Sequence, residues 1–152
     1  MSAPAAYDLN EIFDALASVW SGELSGDELG GQAIQIIAEP EVAGDIQTPA
    51  VVLELDDITY DVNMGSGADS ITILATALVA TADDRTAQRQ LRSFLSRKPT
   101  TGVARLKTLL DAEATLGGLV SYAQMGSLRR FGRITFDEVD YLGAELVIEV
   151  MT

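Results

Sequence analysis

Ser70-Ile71-Thr72-Ile73-Leu74-Ala75-Thr76-Ala77-Leu78-Val79-Ala80 is the stretch on which the fold turns. Read with a period of two, Ile71, Ile73 and Val79 fall on one side, and Leu74 and Leu78 on the other. A strand that is apolar on both sides belongs inside a sheet and is covered on both faces. Upstream, Ala50 to Asp56 alternates, with Val51, Leu53 and Leu55 opposed by Glu54 and Asp56. That is a half-buried strand, and its pattern runs on through Ile58 and Tyr60. Gln32 to Glu39 carries Ile34, Ile36 and Ile37 and is stopped by Pro40, which predicts one more short strand.

Downstream of the central strand the period changes. Asp83 and Asp84 can cap a helix running to about Ser96, with Ala87, Leu91, Phe94 and Leu95 on its apolar face and Pro99 ending it. Thr101 to about Ala112 gives a shorter helix with Val103, Leu106, Leu109 and Leu110. Gly117-Gly118 is a turn, and Leu119 to Leu128 reads as a strand. A short strand near Arg133 to Phe136 follows, and Ala144 to Met151 is the last. Near the start, Asp8 to Trp20 places Leu9, Ile12, Phe13, Leu16, Val19 and Trp20 on one helical face. Asp8 stands at the N-cap, with Glu11 in the capping-box position. The order is helix, three strands, two helices, then two or three strands. It predicts an α+β fold, a mostly antiparallel sheet of about four to six strands packed against two or three helices. At 152 residues the chain suits a single compact domain, residues 1–152, with its own core.

Histidine and cysteine are both absent. The usual general base near neutral pH, the thiol nucleophile and the soft metal ligands are therefore missing, and no disulfide scaffold is possible. No cofactor, catalytic residue or metal ligand is assigned. The first residues have neither a basic segment nor an apolar one, so no signal peptide is expected. The longest apolar run, Ile71 to Ala82, is too short to cross a bilayer, and no membrane partner is expected.

The net charge is −13, and its distribution is uneven. Residues 1–84 carry 16 acids and no base, whereas residues 85–152 carry 7 acids and all 10 bases. An acidic field repels phosphates and anionic lipid. A subunit so polarised can set its basic segment against a neighbour's acidic one, which favours head-to-tail contacts. The basic candidates for such a subunit interface are Arg85, Arg89, Arg92, Arg129, Arg130 and Arg133. Phe131 sits among the last three, a composition that also occurs at single-stranded nucleic-acid sites. On an acidic protein a subunit interface is the favoured reading.

Carboxylates cluster at Asp56, Asp57 and Asp61 and again at Asp137, Glu138 and Asp140. Neither cluster has the spacing of a calcium loop, so both read first as solvated acids. Gly65-Ser66-Gly67 lacks the lysine of a phosphate-binding loop and is flanked by acids.

Across roughly residues 30–152 the chain resembles the tail terminator proteins of long-tailed phages of actinobacteria. The likeness lies in an ordered series. It begins with Thr48-Pro49-Ala50-Val51-Val52-Leu53 and Tyr60-Asp61-Val62-Asn63-Met64-Gly65-Ser66-Gly67-Ala68-Asp69. Asp83-Asp84-Arg85-Thr86-Ala87-Gln88 with Leu91 continues it, then Leu109-Leu110-Asp111, Thr115-Leu116-Gly117-Gly118 and Tyr141-Leu142-Gly143-Ala144-Glu145. The link Arg97-Lys98-Pro99-Thr100 departs from the family's more Gly- and Ser-rich loop. The resemblance implies a hexameric ring in the neck of the virion. Such a ring sits on the last ring of tail tube protein, stops tube growth and offers the surface that joins the head side, where a head completion or stopper protein binds. DNA passes through its lumen without specific binding, and acids there repel phosphates. The expected lumen- or tube-facing acidic segment is Asp56, Asp57 and Asp61 with the loop Met64, Gly65, Gly67 and Asp69. The competing readings are another neck ring, such as the head completion or stopper protein itself, an adaptor of a contractile injection machine, and a small divalent-metal enzyme built on Asp56, Asp57 and Asp61.

Overall fold

The first helix forms where the apolar period and the cap coincide. In a computed structural model of the chain, α1 spans Leu9–Ser21. The Asp8 carboxylate accepts a hydrogen bond from the Asn10 backbone N–H at 2.8 Å and so satisfies one orphan donor of the first turn. Ile12, Leu16 and Trp20 are fully buried on its inner face, and Leu9, Phe13 and Val19 pack beside them. The structure describes residues 7–21, 35–37, 50–60, 68–81, 89, 91, 92, 95, 102–136 and 138–152.

The other elements are β1 (Gln35–Ile37), β2 (Ala50–Thr59), β3 (Ser70–Thr81), α2 (Gly102–Ala112), β4 (Tyr122–Phe136) and β5 (Val139–Met151). Arg89, Leu91, Arg92 and Leu95, from the helix predicted after Asp83, are helical. The five strands form one sheet in the order β1-β2-β3-β5-β4. Only β1 and β2 run parallel; every other neighbouring pair is antiparallel. The expected α+β architecture, with a mostly antiparallel sheet against helices, is therefore the one observed. No helix among the described residues is long and apolar enough to cross a membrane.

Pairing registers sort the side chains into two faces. Val51, Leu53, Ile71, Ile73, Ala75, Ala77, Leu146, Ile148 and Val150 point to the helices and form the main core with Trp20, Leu106 and Leu110. Trp20 Nε1 donates to the Leu106 carbonyl at 3.0 Å and ties α1 to α2 through the centre of that core. The opposite face holds a smaller cluster of Ala50, Val52, Leu78 and Tyr141, beside a field of polar and charged residues. β3 was expected to be covered on both sides throughout. It is so covered only from Ala75 to Ala80, and Thr72 and Leu74 are half-buried.

Two expectations at the C-terminal end are corrected. The strand predicted over Leu119 to Leu128 and the short one near Arg133 are a single strand, Tyr122–Phe136, and Leu119 belongs to the preceding turn. The last strand begins at Val139 rather than Ala144. Together they make a long hairpin, paired from Tyr122 with Met151 up to Phe136 with Val139. The physical reason lies in two register shifts, at Met125/Ser127 and Arg129/Gly132. Each bulge resets the alternation, so no single period-two pattern runs through the strand.

Candidate functional site

The charged residues of the polar sheet face come from three strands. Arg129 and Arg130 stand on β4, Glu145 on β5 and Asp56 on β2. Glu145 pairs directly with Arg129 in the β4–β5 ladder. Its side chain keeps only 9% of its surface, although it is a carboxylate. Arg130 Nε lies 3.4 Å and Arg129 Nε 3.8 Å from Glu145 Oε1. Neither is aligned for a hydrogen bond, so the oxygen is held by charge alone. A buried carboxylate without charge partners would be strongly disfavoured, and the two guanidinium groups compensate it.

Arg129 also reaches Asp56, Nη2 to Oδ2 at 3.9 Å. Strands β5 and β3 lie between them, about 14 Å of sheet. Register shifts lie at Leu55/Asp57, Leu78/Ala80, Met125/Ser127 and Arg129/Gly132, irregularities of the kind at which strands bend and twist. The bulge on β4 holds Arg130 at φ 52°, a left-handed conformation uncommon for arginine, and leaves Phe131 67% exposed.

At the hairpin tip Arg133 Nη1 donates to Asp140 Oδ2 at 3.1 Å, and the Thr135 hydroxyl to Asp140 Oδ1 at 2.6 Å. The Thr135 hydrogen bond, then that of Arg133, holds the Asp140 carboxyl below its usual range. These groups are exposed, and such a pair contributes little to stability.

Of the expected acidic segment, Asp56 and Asp57 are exposed on β2. Asp61, Met64, Gly65 and Gly67 lie outside the described residues. Asp69 corrects the expectation, because it is buried rather than presented on a loop. The Tyr7 hydroxyl donates to Asp69 Oδ2 at 2.7 Å. The Thr152 hydroxyl accepts from the Asp69 N–H at 2.9 Å, and the Thr152 N–H donates back to the Asp69 carbonyl at 3.1 Å. Asp69 thus clasps the segment before α1 to the end of β5. Of the expected basic set, Arg129, Arg130 and Arg133 share β4. Arg89 and Arg92 are exposed on helical residues, and Arg85 lies outside the described residues. Glu145 escaped the sequence reading, since only the β4–β5 register sets it against the two arginines.

The hydrogen bond to Asp69 raises the Tyr7 phenol to about 12 from an ordinary 10.0, with burial and the negative charge adding to it. The folded state thus holds the phenolic proton more tightly than the unfolded chain. Its contribution is complete below about pH 10 and is lost as pH rises through 10 towards 12. Tyr7→Phe is expected to cost about 1 kcal/mol in urea unfolding near neutral pH. That deficit should shrink across the alkaline window. Equal stability of the two proteins at neutral pH would show that the clasp carries nothing.

The described residues contain no cluster of three or more acids placed to share a metal ion. A cleft between α1 and the turn after α2 is lined by Ala15, Ser18, Val19, Leu109 and Leu116, with Glu113 as its one titratable group. No acid–base pair faces it. The chain matches no protein-family model and no curated protein.

Proposed function

We propose that this chain is a structural, non-catalytic ring subunit that closes the head-proximal end of a phage tail tube. Six copies form the ring. One surface sits on the tail tube protein and ends its growth, and another receives a head completion or stopper protein. The assembly belongs to the tail and neck of the virion.

The observation that carries this reading is the placement of charge on two strands of the sheet. Among the described residues, Arg129, Arg130 and Arg133 stand exposed on β4, and Asp56 and Asp57 stand exposed on β2, with two strands between. A subunit that carries unlike charge on two strands suits a heterologous, head-to-tail contact. The ordered sequence likeness to tail terminators supports the same reading. Acids on the polar face fit a conduit past which DNA slides, because they repel its phosphates and leave no counterion-releasing contacts to hold it.

The test is the mass of the purified chain by light scattering after size exclusion, alone and with tail tube protein. A sixfold mass, alone or on addition of the tube protein, is the expected result. A chain that stays monomeric in both conditions overturns the reading.

A further inference from the structure

Phe131 is an apolar ring left in solvent between charged neighbours on β4. The register shift between Arg129 and Gly132 puts Arg130 and Phe131 outside the β4–β5 ladder. Arg130 stands at φ 52° and Gly132 at φ 130°, so sparsely populated backbone conformations flank the ring on both sides. Such conformations concentrate where a protein binds something, because the fold must hold them at a cost. Aromatic rings and arginines together make up the energetic centres of protein–protein interfaces.

The arginines keep donors to offer. Arg129 and Arg130 share Glu145 Oε1, and neither is aligned to donate a hydrogen bond to it. Arg129 lies 3.9 Å from Asp56, between exposed side chains and too far for a hydrogen bond. Charge thus holds both guanidinium groups in place while leaving N–H donors for a carboxylate from outside.

The complement stands in the helix layer. The cleft between α1 and the turn after α2 has a volume of about 460 Å³, ample for a benzyl group, and apolar walls from Ala15, Val19, Leu109 and Leu116. Its charge is acidic. Glu113 lines it. Glu11 precedes Ala15 by one helical turn and Asp14 precedes Ser18 by one, and both acids are exposed. α1 carries no basic residue.

Bulge against bulge would set arginines against arginines, and cleft against cleft acids against acids. Like charges brought together at an interface cost affinity. Bulge against cleft joins a ring to a hollow and bases to acids. The two features also lie apart. The arginines reach Glu145 on the polar face of the sheet, whereas the cleft opens in the helix layer that covers the other face. One copy can therefore fill a neighbour's cleft while its own is filled.

We propose that Phe131 of one copy inserts into the cleft between α1 and the turn after α2 of the next, with Arg129 and Arg130 set against the acids beside it. The proposal rests on the ring reading above and names a contact of that ring. A knob seated in a hollow elsewhere on an identical chain is a heterologous contact, and a suitable rotation per subunit closes it into a ring.

Removing the knob and filling the hollow test it, under whichever condition above gives the wild-type multimer. Phe131→Ala is expected to raise the concentration at which the multimer dissociates, followed by light scattering, about 30-fold. Ser18→Trp, which fills the cleft from an exposed position on α1, should do the same. Both should keep the wild-type fold by circular dichroism; if Ser18→Trp does not, Ala112→Trp fills the cleft from α2. Tyr60, as exposed as Phe131, is the control, and Tyr60→Ala should assemble as wild type does. Titrated into each other, the two variants should form a one-to-one complex and nothing larger. The filled chain still has its knob and the knobless chain its hollow, so only one contact is possible. Wild-type assembly by Phe131→Ala or by the filled chain, a silent titration, or an equal loss in Tyr60→Ala overturns the contact. A wild-type chain that never assembles removes the ring reading itself. A wild-type multimer that both variants reproduce removes only this contact.

Discussion

Gly143→Ala is expected to destabilise the protein by about 3 kcal/mol, the upper part of the range for forcing a methyl group into packed structure. For a chain of this length that is a fall of about 10 °C in Tm. A Cβ at Gly143 would overlap the carbonyl oxygen of Ala77 and lie 3.3 Å from the Leu78 Cα. Both obstacles are backbone of the neighbouring strand, so no rotamer change relieves them. The site is tight because both neighbours of β5 shift register around it. β3 slips between Leu78, paired with Gly143, and Ala80, paired with Leu142. β4 slips between Arg129, paired with Glu145, and Gly132, paired with Gly143. Gly126→Ala is the control, because a Cβ there meets only the flexible Glu149 side chain, no closer than 3.6 Å. It should cost well under half as much. Thermal unfolding of both variants, followed by circular dichroism, decides the matter. Equal midpoints would mean that the β3–β5 approach at Gly143 is looser than described.

The elements that were legible in the sequence are those where one period holds from end to end. Ile12, Leu16 and Trp20 keep helical spacing along α1, and the alternation of Val51, Leu53 and Leu55 opens β2. A helix cap and a helical face are local signals, readable without knowing what packs against them. The hairpin was illegible because its information is not local. Around Arg129, Arg130 and Arg133 the strand is exposed on both sides, and Gly126 and Gly132 read as breaks. Only pairing with β5 makes it a strand. The candidate site divides in the same way. That Arg129, Arg130 and Arg133 belong together was visible from their spacing. That Glu145 is buried against the first two depends on a register set by two bulges. Asp69 misled for a related reason. It ends a glycine-containing acidic stretch, but its partners are Tyr7 and Thr152, from opposite ends of the sequence.

Trp20→Ala should be the most damaging single substitution in the core, at about 4 kcal/mol. Trp20 is fully buried, and it carries the one indole of the chain. Its removal empties the space between α1 and α2 and abolishes the 3.0 Å hydrogen bond to the Leu106 carbonyl. Leu16, Leu106 and Leu110, fully buried in the same cluster, could refill that space only by moving the helices. Trp20→Phe separates the two contributions. It keeps an aromatic body and loses the hydrogen bond with part of the volume, and about 2 kcal/mol is expected. Urea unfolding followed by circular dichroism measures all three proteins on one scale. A loss below about 1 kcal/mol for the alanine variant would mean that the helix layer is not held by this residue.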